Sequence, residues 1–288
     1  MDLAKTKWDF HRCSLPSEGV LLVEFDRAPV NAFHDEMWTE LRHVMHHASL
    51  NPGVRCVVLA SKLNKGFTAG LDIKDQLAAM QNYPKDPGRQ ALVLLDHLRD
   101  FQDAISSLAE CRAPVIAALH GICFGLGLDI ASACDIRLAA ENTTFRIAEV
   151  DVGLAADIGT LQRFPKIIGN DSKARELALT ARSFGAHEAK EFGFLSKVVK
   201  GDREAVTKAA LEVAKQIAEK SPIAVLSTKH LMNHARDHSV REGLEYTQAW
   251  NMGMLQTEDV SNAMKGVLSK KQARFAPVPL IQRVKAKL

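Results

Sequence analysis

Pro114 to Cys134 is the longest apolar stretch in this 288-residue chain, yet it carries His120, Asp129 and repeated glycine. A membrane-spanning helix of that length would have to hold a carboxylate in hydrocarbon, which is costly. The stretch therefore reads as buried core. Its pattern divides into a short apolar strand, Pro114 to Leu119, a glycine-bearing turn from His120 to Gly127, and a helix holding Asp129. A strand around Ile136-Arg137-Leu138-Ala139 follows.

The same alternation runs through the first two-thirds of the chain. Gly19 to Phe25 predicts a strand, Ala28-Pro29 a turn, and His34 to Leu50 a helix with Met37, Leu41, Val44, Met45 and Ala48 at helical spacing. Asp35 and Glu36 suit its first turn, where the helix dipole favours acids, and Asn51-Pro52-Gly53 ends it. Val54 to Ala60 predicts a buried strand leading to a loop that ends in Phe67-Thr68-Ala69-Gly70-Leu71-Asp72. Gln81 to Gly88 is the most loop-like segment, and a long helix is expected from Arg89 to Glu110. Beyond Gly201 the pattern turns helical: 203–220, 222–234, 240–254 and 258–270. The reading is an α/β core over 1–200 and a helical region over 201–288.

Lys plus Arg number 37 and Asp plus Glu 34, a net charge of +3. That near balance argues against nucleic acid or an anionic membrane surface as partner. Cys13, Cys56, Cys111, Cys123 and Cys134 are odd in number and lack metal-site spacing, so free thiols in a reducing compartment are expected. Met1-Asp2-Leu3-Ala4-Lys5 has no apolar signal core and reads as a mature start. Ala286-Lys287-Leu288 is a conservative variant of the Ser-Lys-Leu peroxisomal address.

Two glycine-bearing turns each lead into a helix: Thr68-Ala69-Gly70-Leu71-Asp72 and Gly125-Leu126-Gly127-Leu128-Asp129. Unpaired backbone N–H groups at such positions could together hold a developing oxyanion. Alone, either turn is an ordinary structural element. Asp129, Glu149 and Asp157 stand among apolar neighbours, where a carboxylate is expensive to ionise and becomes a candidate proton carrier. Capping or internal ion pairing would serve equally for any one of them.

Taken in order, these segments resemble the enoyl-CoA hydratase/isomerase, or crotonase, superfamily. Phe67 to Asp72 resembles its first oxyanion segment, His120 to Asp135 its second, and Glu149 to Arg163 the dienoyl-CoA isomerase form of the segment that follows. Glu149 lies 20 positions after Asp129, and Asp157 lies 8 after Glu149. This spacing matches the three acids of the isomerases, whereas related hydratases lack an acid at the third position. One departure is Leu126, where glycine is common.

The resemblance implies a β-β-α spiral of two sheets with C-terminal helices that form homotrimers or homohexamers. It implies conversion of a 3,5-dienoyl-CoA to the 2,4-dienoyl isomer in fatty-acid β-oxidation. Catalysis falls to Asp129, Glu149 and Asp157, and the oxyanion hole to the N–H groups of Ala69 and Leu126. Substrate contacts are expected from Ala69, Gly70, Leu71, Asp72 and Ile73, and from Leu126 and Gly127. Arg27, Lys62 and Lys65 are candidates for the CoA phosphates, with Lys270, Lys271 and Arg274 from a neighbouring subunit. No metal or cofactor is implied, since coenzyme A is part of the substrate. Membrane insertion is not expected. The compartment implied is the peroxisome, through an import receptor, with the mitochondrion as alternative. Two further readings remain: a 2-enoyl-CoA hydratase or 3,2-enoyl-CoA isomerase on the same fold, and a non-catalytic CoA-binding or scaffold protein.

Overall fold

A computed structural model describes residues 3–279. Strand β1 (His11–Ser17) pairs antiparallel with β2 (Val20–Phe25), and helix α1 (Asp35–Leu50) returns the chain to β3 (Cys56–Ser61). Then follow β4 (Gly66–Thr68), α2 (Ile73–Met80) and α3 (Pro87–Glu110). The next turn of the fold comprises β5 (Val115–Leu119), β6 (Ile122–Phe124) and α4 (Leu126–Ala133). A third comprises β7 (Ile136–Ala140), β8 (Thr144–Arg146), a 3-10 turn at Glu149–Val152 and α5 (Thr160–Ile168). Helix α6 (Asp171–Thr180), β9 (Phe184–Gly185), α7 (Ala186–Glu191) and β10 (Lys197–Val199) complete the sheets. The chain continues as α8 (Arg203–Ala218), α9 (Pro222–Ala235), α10 (Val240–Met254) and α11 (Glu258–Ser269).

Each turn places one strand in a large sheet and the next in a small one. The large sheet runs β1-β2-β3-β5-β7-β10, parallel from β2 onward, and the small sheet runs β4-β6-β8-β9. This is the β-β-α repeat that the resemblance implies. Both faces of the large sheet are buried, which is why its strands read as continuous apolar runs. Leu21, Val57, Leu59, Val115 and Ala117 face the core beneath α1 and α3, whereas Leu22, Val58, Ile116 and Leu138 face α8. Helix α8 meets that second face with Val206, Ala210, Ala214 and Ala218, small residues at a spacing of four that let helix and sheet approach.

The differences from expectation have local causes. β1 contains Pro16 and is mostly polar, so it carries no core periodicity. β4 and β6 are three residues long, below the length at which alternation can be read. α2 buries none of its residues and so shows no core-facing stripe. α3 begins at Pro87 rather than Arg89, because Asp86 caps it by accepting from Arg89 N at 2.9 Å.

Helix α9 is pinned to the core by Lys229, only 7% exposed, whose Nζ donates to Leu108 O and Ala113 O and pairs with Asp135 at 2.8 Å. α10 and α11 leave Val240, Met252, Val267 and Leu268 largely exposed. Among the described residues, no helix is long and apolar enough to cross a membrane. All five cysteines are unpaired, four of them buried. Ala286-Lys287-Leu288 lies outside the described residues.

Candidate active site

The two glycine-bearing turns meet. A Cβ on Gly70 would sit 3.6 Å from Leu126 N and 2.9 Å from Phe124 O, so the first turn lies directly against the start of α4. The first turn is braced from below. Thr68 Oγ1 donates to Asn31 O at 2.6 Å and accepts from Gly70 N at 3.0 Å, while Asn31 Nδ2 bonds Ser61 Oγ and Phe67 O. Asn31 adopts the left-handed conformation, φ 50°, which places its amide in this network. Asn31 and Ser61 were not singled out in the sequence, and Thr68 only as the first residue of the turn. For Asn31 the available signal is a turn-favouring polar residue just after Ala28-Pro29.

The N–H groups of the first turn have different fates, and this corrects one expectation. Ala69 N–H donates to Val30 O at 3.0 Å and is therefore committed to the scaffold. Leu71 instead forms a parallel bridge with Phe33, in which the bonds run from Phe33 N to Gly70 O and from Asp72 N to Phe33 O. That geometry turns the Leu71 N–H to the opposite side, where among the described residues it meets no acceptor. Leu126 opens α4, so its N–H is one of the unpaired first-turn donors. Leucine is tolerated there because the left-handed position falls on Gly125, φ 49°, and not on Leu126.

Two other expected contacts are engaged elsewhere. Arg27 Nη1 donates to Asp72 Oδ2 at 2.8 Å and Ala32 O at 2.6 Å, so its guanidinium serves the turn rather than a free phosphate. Asp72 also caps α2, accepting from Lys74 N and Asp75 N. Burial alone would raise its carboxyl, but Arg27 and these amides hold it below the ordinary aspartate value. Ile73 remains half exposed, and Lys62 and Lys65 are exposed. Lys270, Lys271 and Arg274 are exposed as well.

The three acids come from separate elements. Asp129, on the first turn of α4, is 2% exposed and accepts from Thr160 N at 2.6 Å. Burial raises its carboxyl to about 6, opposed by the Thr160 N–H bond and the charge of Arg163. Glu149 begins the 3-10 turn that Gly153 closes in the left-handed conformation. Its Oε1 faces Gly125, lying 3.3 Å from where a Cβ there would stand, and its buried Oε2 has no hydrogen-bond partner among the described residues. Burial, and then the nearby Asp129 charge, push Glu149 up to about 7. Asp157 lies on the connection before α5 and is exposed, so it lacks the apolar enclosure expected of it. Partial burial still holds its carboxyl above the ordinary value, and its backbone O accepts from Gln102 Nε2 at 2.6 Å. Thr160, Arg163 and Gln102 were also not singled out as functional residues.

Residues 16–277 match the enoyl-CoA hydratase/isomerase family. The chain is 42% identical over 265 residues to the mitochondrial Δ3,5-Δ2,4-dienoyl-CoA isomerase of Homo sapiens, covering 91% of this chain and 80% of that protein. It is 38% identical to the peroxisomal enzyme of the same name from Arabidopsis thaliana, covering 86% and 88%. The crystal structure of an enoyl-CoA hydratase from Streptomyces coelicolor, described as putative, superposes with a TM-score of 0.84 at 28% identity, covering 93% and 94%. With its paired sheets, facing turns and clustered acids, this chain belongs to the enoyl-CoA hydratase/isomerase family.

Proposed function

We propose that the chain is a Δ3,5-Δ2,4-dienoyl-CoA isomerase of fatty-acid β-oxidation. The observation that carries the reading is the third acid: Asp157 joins Asp129 and Glu149 at one site, and all three have carboxyls raised above their ordinary values. The dienoyl-CoA isomerase relatives support it.

In this scheme the thioester oxygen accepts from the Leu71 and Leu126 N–H groups, with Leu71 replacing the Ala69 donor expected from sequence. Each donor contributes about 3 kcal/mol of transition-state stabilisation. Glu149, unpaired at Oε2 and with a raised pKa, removes the C2 proton as the thioester becomes a dienolate. Asp157 delivers a proton at C6. The double bonds move from C3=C4 and C5=C6 to C2=C3 and C4=C5. Glu149 is left protonated and Asp157 ionised, and a proton returning between them resets the site. Substrate covering the exposed Asp157 desolvates it and favours its acid form before the transfer. Asp129 holds the pair electrostatically, so the carboxyls titrate as a coupled set. The rearrangement is redox-neutral and uses no cofactor beyond the CoA of the substrate.

The exposed apolar residues of α10 and α11 support a homo-oligomer, trimer or hexamer, built through the C-terminal helices. Lys62 and Lys65 are the remaining candidates of the core for the CoA phosphates. For compartment, we favour peroxisomal import through Ala286-Lys287-Leu288, tested by deleting those residues and following import.

The deciding assay is turnover of a 3,5-dienoyl-CoA, followed by the ultraviolet change as the new diene conjugates with the thioester. Hydration of 2-enoyl-CoA without isomerisation would assign the hydratase reading. CoA binding without any turnover would assign a scaffold role.

A further inference from the structure

Arg163 has no part in the scheme above, yet its side chain lies against the segment that carries Asp157 and its charge acts on Asp129. It belongs to the first turns of α5, and its guanidinium folds back toward the N-terminus of its own helix. There Nη1 donates to Ile158 O at 3.3 Å and Nη2 to Ser106 Oγ on α3 at 2.8 Å. The guanidinium fills the space that a Cβ at residue 159 would need, and Gly159 has a φ of 135°. The turn carrying Asp157 thus runs over the arginine, while Gln102 on α3 holds the Asp157 carbonyl.

A cation at a helix N-terminus opposes the helix dipole. The charge that balances it is Asp129, whose Oδ1 accepts from Thr160 N at this same helix end. Asp129 and Arg163 each act on the other's ionisation in the sense of an attractive pair. The other groups that act with Asp129 among the described residues are acidic or neutral: Glu149, Asp157 and the Cys123 thiol. Arg163 itself also faces Glu110 of α3, Cys134 at the end of α4, and Arg236 beyond α9.

We propose that Arg163 is a positioning residue for the isomerase reaction, bracing the Asp157–Gly159 turn from behind and placing a positive charge at the end of α5 where Asp129 accepts from the Thr160 N–H. This rests on the isomerase reading. Its consequence runs through charge: an ionised Asp129 strengthens Glu149 as a base, and a protonated Asp129 does not.

The test compares full-length Arg163→Met and Arg163→Lys with wild type. Asp129 is followed by carboxyl carbon NMR, its signal identified by loss in Asp129→Asn, and kcat is measured against pH. In Arg163→Met the Asp129 titration should rise by roughly one pH unit. The acid limb of kcat should move to higher pH, with kcat at neutral pH down at least about tenfold. Arg163→Lys should restore the titration and most of the limb, because it keeps the charge without the guanidinium fork. Should Arg163→Met not fold, Arg163→Gln keeps hydrogen-bonding capacity without charge and takes its place. An unchanged Asp129 titration in a folded neutral variant, or equal losses in the Lys and neutral variants, would overturn the proposal. If the titration shifts as expected but wild type does not isomerise a 3,5-dienoyl-CoA, the isomerase reading fails while the Arg163–Asp129 coupling stands.

Discussion

Asp129 and Asp157 are the same residue type at one site, and they meet solvent in opposite ways. Asp129 is enclosed by α4 and α5 and held by a backbone amide, whereas Asp157 sits exposed on the connection into α5. The enclosed acid has its charge set by protein neighbours. The exposed one can have its protonation set by whatever covers it. In the proposed scheme the site is therefore asymmetric before substrate arrives: base and electrostatic partner are preformed, and the proton donor is completed on binding.

Five experiments bear on this contrast. Glu149→Gln, on the interior side, should lower isomerase kcat by roughly 10²–10⁴ and also abolish exchange of the C2 proton with deuterated solvent. Leu126→Pro removes one proposed oxyanion donor at a first-turn position where proline suits the helix, and should cost roughly 10²–10³ in kcat, with Leu126→Ala near wild type as the control. Asp157→Asn, on the exposed side, should cost about 10² in turnover but keep C2 exchange. Loss of exchange there would erase the proposed division of labour.

The fourth is pH-dependent stability. Asp129 and Glu149 ionise at higher pH in the folded chain than in the unfolded one. Below the unfolded values both are protonated in either state. As pH rises from about 4 to 7 the unfolded chain ionises first, so the contribution of these two carboxyls to stability falls. The rise of Asp129 from 3.8 to about 6 corresponds to on the order of 3 kcal/mol. Urea denaturation from pH 4 to 8 should show this decline as the difference in stability between wild type and Asp129→Asn. The smallest effect expected is from Lys62→Ala, an exposed lysine: KM for the CoA thioester up by less than about fivefold, with kcat unchanged.

Much of the fold was legible because burial on both faces makes β2, β3 and β5 continuous apolar runs, and α1 carries a regular apolar face. The small sheet was not, because three-residue strands hold too few side chains for a pattern. The site acids were legible as carboxylates in apolar sequence, but local sequence could not say which would be enclosed. Asp157 has Ala156 and Ile158 as buried neighbours and is itself exposed.

The sequence by itself determined which chemical groups are available: three carboxyls at family spacing, two glycine-bearing turns, and the alternation of strands and helices that builds a layered core. Only the tertiary structure decided which amides stay free. Ala69 and Leu71 lie two positions apart in one turn, yet Val30 takes the Ala69 N–H and the Phe33 bridge turns the Leu71 N–H away from the scaffold. Likewise only packing brought Arg163 behind the turn that carries Asp157. Hydrogen bonding and charge are settled by neighbours distant in the chain, and those neighbours exist only once it has folded.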